Sequence, residues 1–120
     1  MQKTTLVLGA STKLNRYSNT AVQRLVQHGI AVYAIGAREG MIYGVAIRTG
    51  FPVLPAIHTV TLYLNPKRQE AYVTYIIELK PMRVIFNPGT ENESVMAQFR
   101  AVGIEVEIAC TLVLLATNQY

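Results

Sequence analysis

Apolar residues along this chain fall into two alternating textures: short continuous runs, and longer stretches in which they return every three or four positions. The first run, Thr4 to Leu8, leads straight into the small residues Gly9, Ala10 and Ser11. Ser18 to His28 then carries Ala21, Val22, Leu25 and Val26 at helical spacing, with Ser18 placed to cap its start and Gly29 to end it. Ile30 to Ile35 is again continuous and partly β-branched, the texture of a strand covered on both faces. From Gly36 to Pro55 the chain is punctuated by Gly40, Gly44, Gly50 and Pro52. It shows no helical period and predicts only short extended pieces at Met41 to Ile47 and Phe51 to Leu54.

The alternation then resumes. Thr59 to Leu64 predicts a third strand, and Asn65-Pro66 supplies a cap and a first-turn proline for a helix running to about Lys80, which buries Tyr72, Val73, Ile76 and Ile77. Arg83 to Phe86 is a fourth strand. Thr90 to Glu93 fits a capping box ahead of a helix that buries Val95, Met96, Phe99 and Val102 and stops at Gly103. Ile104 to Ala109 is a fifth strand whose acidic residues, Glu105 and Glu107, share one alternate face, as suits a sheet edge. Thr111 to Leu115 is short and apolar, either a closing element or a surface for another subunit.

Strands alternating with helices predict a doubly wound α/β fold with five parallel strands, the first flanked by the second and the strand ending at Phe86. In such a sheet a ligand sits beyond the carboxyl ends of the strands. The residues there are Gly9-Ala10-Ser11, Gly36-Ala37-Arg38, Asn65-Pro66-Lys67, Asn87-Pro88-Gly89 and Cys110, mostly turn-forming types. A turn of small residues lets backbone N–H groups approach a phosphate that the next helix N-terminus also attracts, so an anionic, nucleotide-like ligand is expected.

Composition narrows this. The 120 residues, 51% of them hydrophobic, suffice for one core, so residues 1–120 are expected to form one domain. No apolar stretch reaches membrane-spanning length and no secretory signal opens the chain, which predicts a cytoplasmic protein without a membrane partner. One cysteine makes no internal disulfide, and His28 and His58 form no metal-ligand cluster. The net charge of +4 is too small to argue for nucleic acid, but Lys13, Arg16, Arg38, Lys67 and Arg68 all follow predicted strands, so one rim should be positive. The alternative is a scatter of solvated charges. Aspartate is absent altogether. Gly36-Ala37-Arg38 stands where a dinucleotide site usually has its ribose-binding acid, so ordinary NAD binding is disfavoured. Arg38 suits an extra phosphate instead: the 2′-phosphate of NADP, the 3′-phosphate of coenzyme A, or merely solvent. Ser11 has no recognisable base partner, and no catalytic constellation is evident.

Gly9-Ala10-Ser11, Arg16-Tyr17-Ser18, Asn87 to Glu93 and Cys110, in this order and spacing, resemble the CoA-binding domain family, small stand-alone Rossmann-like proteins similar to the CoA-binding domain of the succinyl-CoA synthetase α subunit. The resemblance covers nearly the whole chain and implies a Rossmann-like binding module for coenzyme A or an acyl-CoA. Carried over, Gly9, Ala10, Ser11, Arg16 and Ser18 would hold the pyrophosphate, while Ile35, Gly36 and Arg38 would flank the adenosine. Leu64, Asn65 and Pro66 would line the cleft, with Asn87, Pro88 and Gly89 bordering the pantetheine. Arg38 or Lys67 would meet the ribose phosphate, and Cys110 would lie close enough to meet the CoA thiol. Contacts from the segment 40–58, which does not register against the family's pattern, are left unassigned. The synthetase's catalytic histidine belongs to a domain outside the resemblance, so its ligase activity does not carry over. Two other readings stay open: an NADP-binding protein of reductase type, and an interaction protein with a vestigial cleft, as homodimer or with a protein partner.

Overall fold

The computed structural model describes residues 2–120. Seven strands form one sheet: β1 (Thr5–Ala10), β2 (Val32–Gly36), β3 (Gly40–Ile42), β4 (Val45–Arg48), β5 (Thr59–Leu62), β6 (Arg83–Phe86) and β7 (Glu105–Ile108). Their order is β3-β4-β2-β1-β5-β6-β7, and every neighbouring pair is parallel except β3 with β4. The helices are α1 (Tyr17–Gln27), α2 (Pro66–Gln69), α3 (Val73–Leu79), α4 (Glu93–Ala101) and α5 (Thr111–Ala116).

The sheet thus has seven strands rather than the expected five, and the additional pair is a hairpin inside the glycine-punctuated segment. Tyr43 and Gly44 both take positive φ, 51° and 83°, as a two-residue turn of the right twist requires. The chain runs up β2, down β3 and back up β4, which slots against β2 with Ala34 opposite Ile47. That hairpin occupies the outer side of β2. The next strand, β5, therefore crosses to the free side of β1, pairing Thr5 with Thr59 and Leu8 with Leu62. So β1 is flanked by β2 and β5, not by the strand ending at Phe86, which is one place further out.

Strand side chains alternate between two faces. Leu6, Leu8, Ile35 and Val60 enter a core with Val73, Ile76, Val95, Met96 and Phe99 of α3 and α4. Val7 and Ala34 enter a second one with Val22 and Leu25 of α1 and Leu115 of α5. Both faces are covered, which is why the central strands read as continuous apolar runs. Thr111 to Leu115 is accordingly a closing helix, packed on α1.

Several local signals act differently from expectation. Arg16, not Ser18, is the N-cap of α1 and makes no side-chain cap bond; Ser18 is a buried residue of the first turn. Asn92, not Thr90, caps α4, accepting from the Val95 amide, while the Thr90 hydroxyl donates to the Asn87 carbonyl. Asn65 does cap α2, but the helix expected to reach Lys80 is interrupted by a 3-10 turn at Glu70–Tyr72. Gly29 and Gly103 end α1 and α4 with paired reverse hydrogen bonds: Gly29 to Val26 and Ile30 to Leu25, Gly103 to Arg100 and Ile104 to Phe99.

Candidate functional site

At the carboxyl ends of β1, β2, β5 and β6, four loops enclose a cleft of ≈ 570 Å³. Gly9 turns the chain out of β1 with φ at +101°. A β-carbon there would stand 2.9 Å from the carbonyl carbon of Tyr63, so glycine is required by the close passage of β1 over the end of β5 before any ligand is considered. Gly36 serves the neighbouring strand in the same way: a β-carbon would lie 2.2 Å from the Ala10 carbonyl oxygen.

The turn that follows is pinned from the helix side. Asn19, buried in α1, donates from Nδ2 to the Ser11 carbonyl at 3.0 Å, and the Ser11 hydroxyl accepts from the Lys13 amide at 3.1 Å. The amides of Thr12, Tyr17 and Ser18 meet no acceptor among the described residues. Three backbone donors therefore face a cleft at the N-terminal end of α1, a helix whose first turn holds no acid. Lys13, Arg16, Arg38 and Arg68 line the same cleft, and no acidic residue does. None of the four cations is in an ion pair; the salt bridge among the described residues is Arg83 with Glu107, elsewhere.

The other two loops are tied together. Gln69 is buried and donates from Nε2 to the carbonyls of Leu64 (3.1 Å) and Thr90 (2.6 Å), and Asn92 donates to the Pro66 carbonyl at 3.1 Å. Tyr63 floors the cleft; burial, then the neighbouring Cys110, pushes its phenol far above the ordinary range, opposed by the Thr61 and Thr111 hydroxyls beside it, with which its own buried hydroxyl does not reach hydrogen-bond geometry.

Of the expected site residues, the cleft brings together Gly9, Ala10, Ser11, Arg16, Ser18, Arg38, Leu64, Asn65, Pro88 and Gly89. The rest lie off it. Ile35 is a core residue and Gly36 a packing position, Pro66 opens α2, and Lys67 is exposed on the same turn but does not reach the lining. Asn87 is buried beneath it: its Nδ2 donates to Thr61 Oγ1 and the Leu62 carbonyl, and its Oδ1 accepts from the Thr111 amide, clamping β6 to β5 and to the start of α5. Cys110 follows β7 as expected but is not part of the lining; it is the N-cap of α5, in the neighbourhood of Tyr63. Ala37, named with the strand-end residues, lines the cleft, whereas Thr12, Tyr63 and Thr90 line it without having been named as contacts. Thr12 adjoins residues that were, and a register count beyond β5 and β6 would have found the others.

A family model described as CoA binding domain matches residues 3–116. No curated protein is a significant match to the chain. Among solved structures, the chain is similar to an uncharacterized protein that is 44% identical, with TM-score 0.96 over 100% of this chain and 99% of that one. A hypothetical protein from Pyrococcus horikoshii OT3 is 25% identical, with TM-score 0.84 over 93% and 80% of the two chains. The cell-free ID.343 protein from Thermus thermophilus, 17% identical with TM-score 0.86 over 99% and 91%, shares the fold.

Proposed function

The chain belongs to the CoA binding domain family, and from that premise we propose that it is a stand-alone module that binds coenzyme A or an acyl-CoA in the cleft above β1 and β5. The observation that carries this reading is the charge of the cleft: four cationic side chains, no acidic one, and three unpartnered backbone amides at a helix N-terminus. Such a lining suits a ligand with several phosphates. The pyrophosphate lies over Ser11 to Ser18, and Arg38 or Arg68 meets the ribose 3′-phosphate. The adenosine passes over Ala37, and the pantetheine leaves past Leu64 and Pro88. The Ser11 hydroxyl accepts from the Lys13 amide and in this reading is part of the binding turn rather than a nucleophile.

Arg38, just beyond β2, favours a second reading, NADP, whose 2′-phosphate would meet the same side chain. Calorimetric titration separates the two. Charge-assisted contacts are worth roughly 1.5–3 kcal/mol, so CoA should bind at least about tenfold more tightly than dephospho-CoA, and Arg16→Ala should lose about the same factor. Preference for NADP would replace the CoA reading with the second. A protein that binds neither at millimolar ligand has a vestigial cleft.

A further inference from the structure

The floor of the phosphate turn is held by a two-residue relay inside α1 whose members do not line the cleft. Asn19 is 2% exposed and its Nδ2 donates to the Ser11 carbonyl; its Oδ1 in turn accepts from Gln23 Nε2 at 2.8 Å, one helical turn further on. A carbonyl only accepts, so the Asn19 amide has one workable orientation, and the Gln23 donor enforces it. In a planar trans peptide the carbonyl and the following N–H point opposite ways. Tying the Ser11 carbonyl back to α1 therefore turns the Thr12 N–H away from the helix, toward the cleft that Thr12 lines.

We propose that Asn19 is a positioning residue, oriented by Gln23, which presets the Thr12 amide as a phosphate donor; the inference rests on the CoA reading of the cleft. The free turn is then already in its binding geometry, and the ordering cost that a mobile loop would charge against affinity is avoided.

The relay makes an inverted prediction at Gln23. In Gln23→Ala, Asn19 loses its orienter but can still donate to Ser11. In Gln23→Glu, a carboxylate now faces Oδ1, the Asn19 amide flips to donate to it, and an oxygen is left against the Ser11 carbonyl. The more conservative change in shape should therefore do the greater harm. Two quantities are read: CoA affinity by calorimetry, and amide hydrogen exchange of Ser11 to Leu14 in the ligand-free protein. Asn19→Asp and Gln23→Glu should each weaken CoA about tenfold and speed loop exchange; Gln23→Ala should weaken it only about twofold. Gln27→Glu, an exposed position one turn on, controls for added negative charge and should change neither. If Gln23→Ala is as damaging as Gln23→Glu, or if loop exchange in Asn19→Asp and Gln23→Glu equals wild type, the positioning role is wrong. Wild type that fails to bind CoA while loop exchange still rises in both variants overturns the CoA reading and leaves the relay standing.

Discussion

Single residues in this chain often serve a need other than the one their type suggests. Gly9 reads as a phosphate-approach glycine, yet its β-carbon is excluded first by the Tyr63 backbone, a contact that no sequence pattern announces because the partner is 54 positions away in the numbering. Arg83 reads as an incidental charge at the start of a strand. It is 6% exposed, with Nε donating to Thr59 Oγ1 at 2.8 Å, Nη1 paired with Glu107 at 3.3 Å and its guanidinium over the Tyr120 ring at 4.5 Å. The same Thr59 hydroxyl meets His58 Nδ1 at 2.7 Å. Burial holds the His58 pKa below its ordinary 6.5, helped by Arg83 and Lys3 and opposed by Glu105. The unfolded chain therefore binds a proton at a pH where the folded one does not. Stability from this group is present above pH 6.5 and is lost as pH falls below it. Urea unfolding followed from neutral pH down through that value should show a declining free energy in the wild type and a flatter profile in His58→Gln; parallel profiles would remove His58 as the cause.

At the scale of elements, what the sequence made legible was whatever has a local physical signature. Five of the parallel strands announced themselves, four as apolar runs and β7 by its alternation, and α1 and α4 by helical spacing with a glycine stop. The β3–β4 hairpin did not. Its two strands and their turn fall inside what reads as one extended piece, Met41 to Ile47, because the turn places Tyr43 at a positive φ where Asn or Asp would have given the usual signal. Missing it also misplaced β5, because sheet order depends on which edge is already taken. Helix starts were less legible than helix ends, since Asn92 and Thr90 are both good caps and tertiary hydrogen bonds chose between them. The end of α1 offers a clean measurement. Gly29 has φ +74° and nothing within 4 Å of where a β-carbon would be, so Gly29→Ala carries a conformational penalty without a clash. Left-handed backbone costs an L-residue roughly 1–2 kcal/mol. Melting of Gly29→Ala should therefore fall by several degrees with CoA affinity unchanged; an unshifted melting temperature would mean the reverse hydrogen bonds of the cap do not depend on glycine.

Across the whole molecule, charge is sorted by end. At the amino end of the strands Arg83 is buried and paired; at the carboxyl end four cations line an open cleft with no acid among them. The sequence could show that basic residues follow the strands, because topology alone decides which end of a parallel sheet those positions share. It could not show which of two adjacent cations faces inward. Lys67 and Arg68 are successive residues of the first turn of α2, and successive helical residues point about 100° apart. Arg68 lines the cleft and Lys67 does not. Exposed cations acting on a polyanion are screened by salt, over roughly 10 Å at 0.1 M. CoA affinity should accordingly fall steeply as sodium chloride rises from about 0.05 M to about 0.5 M, over which the screening length shrinks several-fold. Arg68→Ala should weaken binding at low salt and make that dependence shallower, because a cation that acts directly on phosphate has been removed. Lys67→Ala should leave the affinity at high salt and the slope close to wild type, since it contributes only to the distant field. Equal slopes for the two variants would mean that the field of the whole rim, rather than the direction in which α2 aims one side chain, governs capture of the ligand.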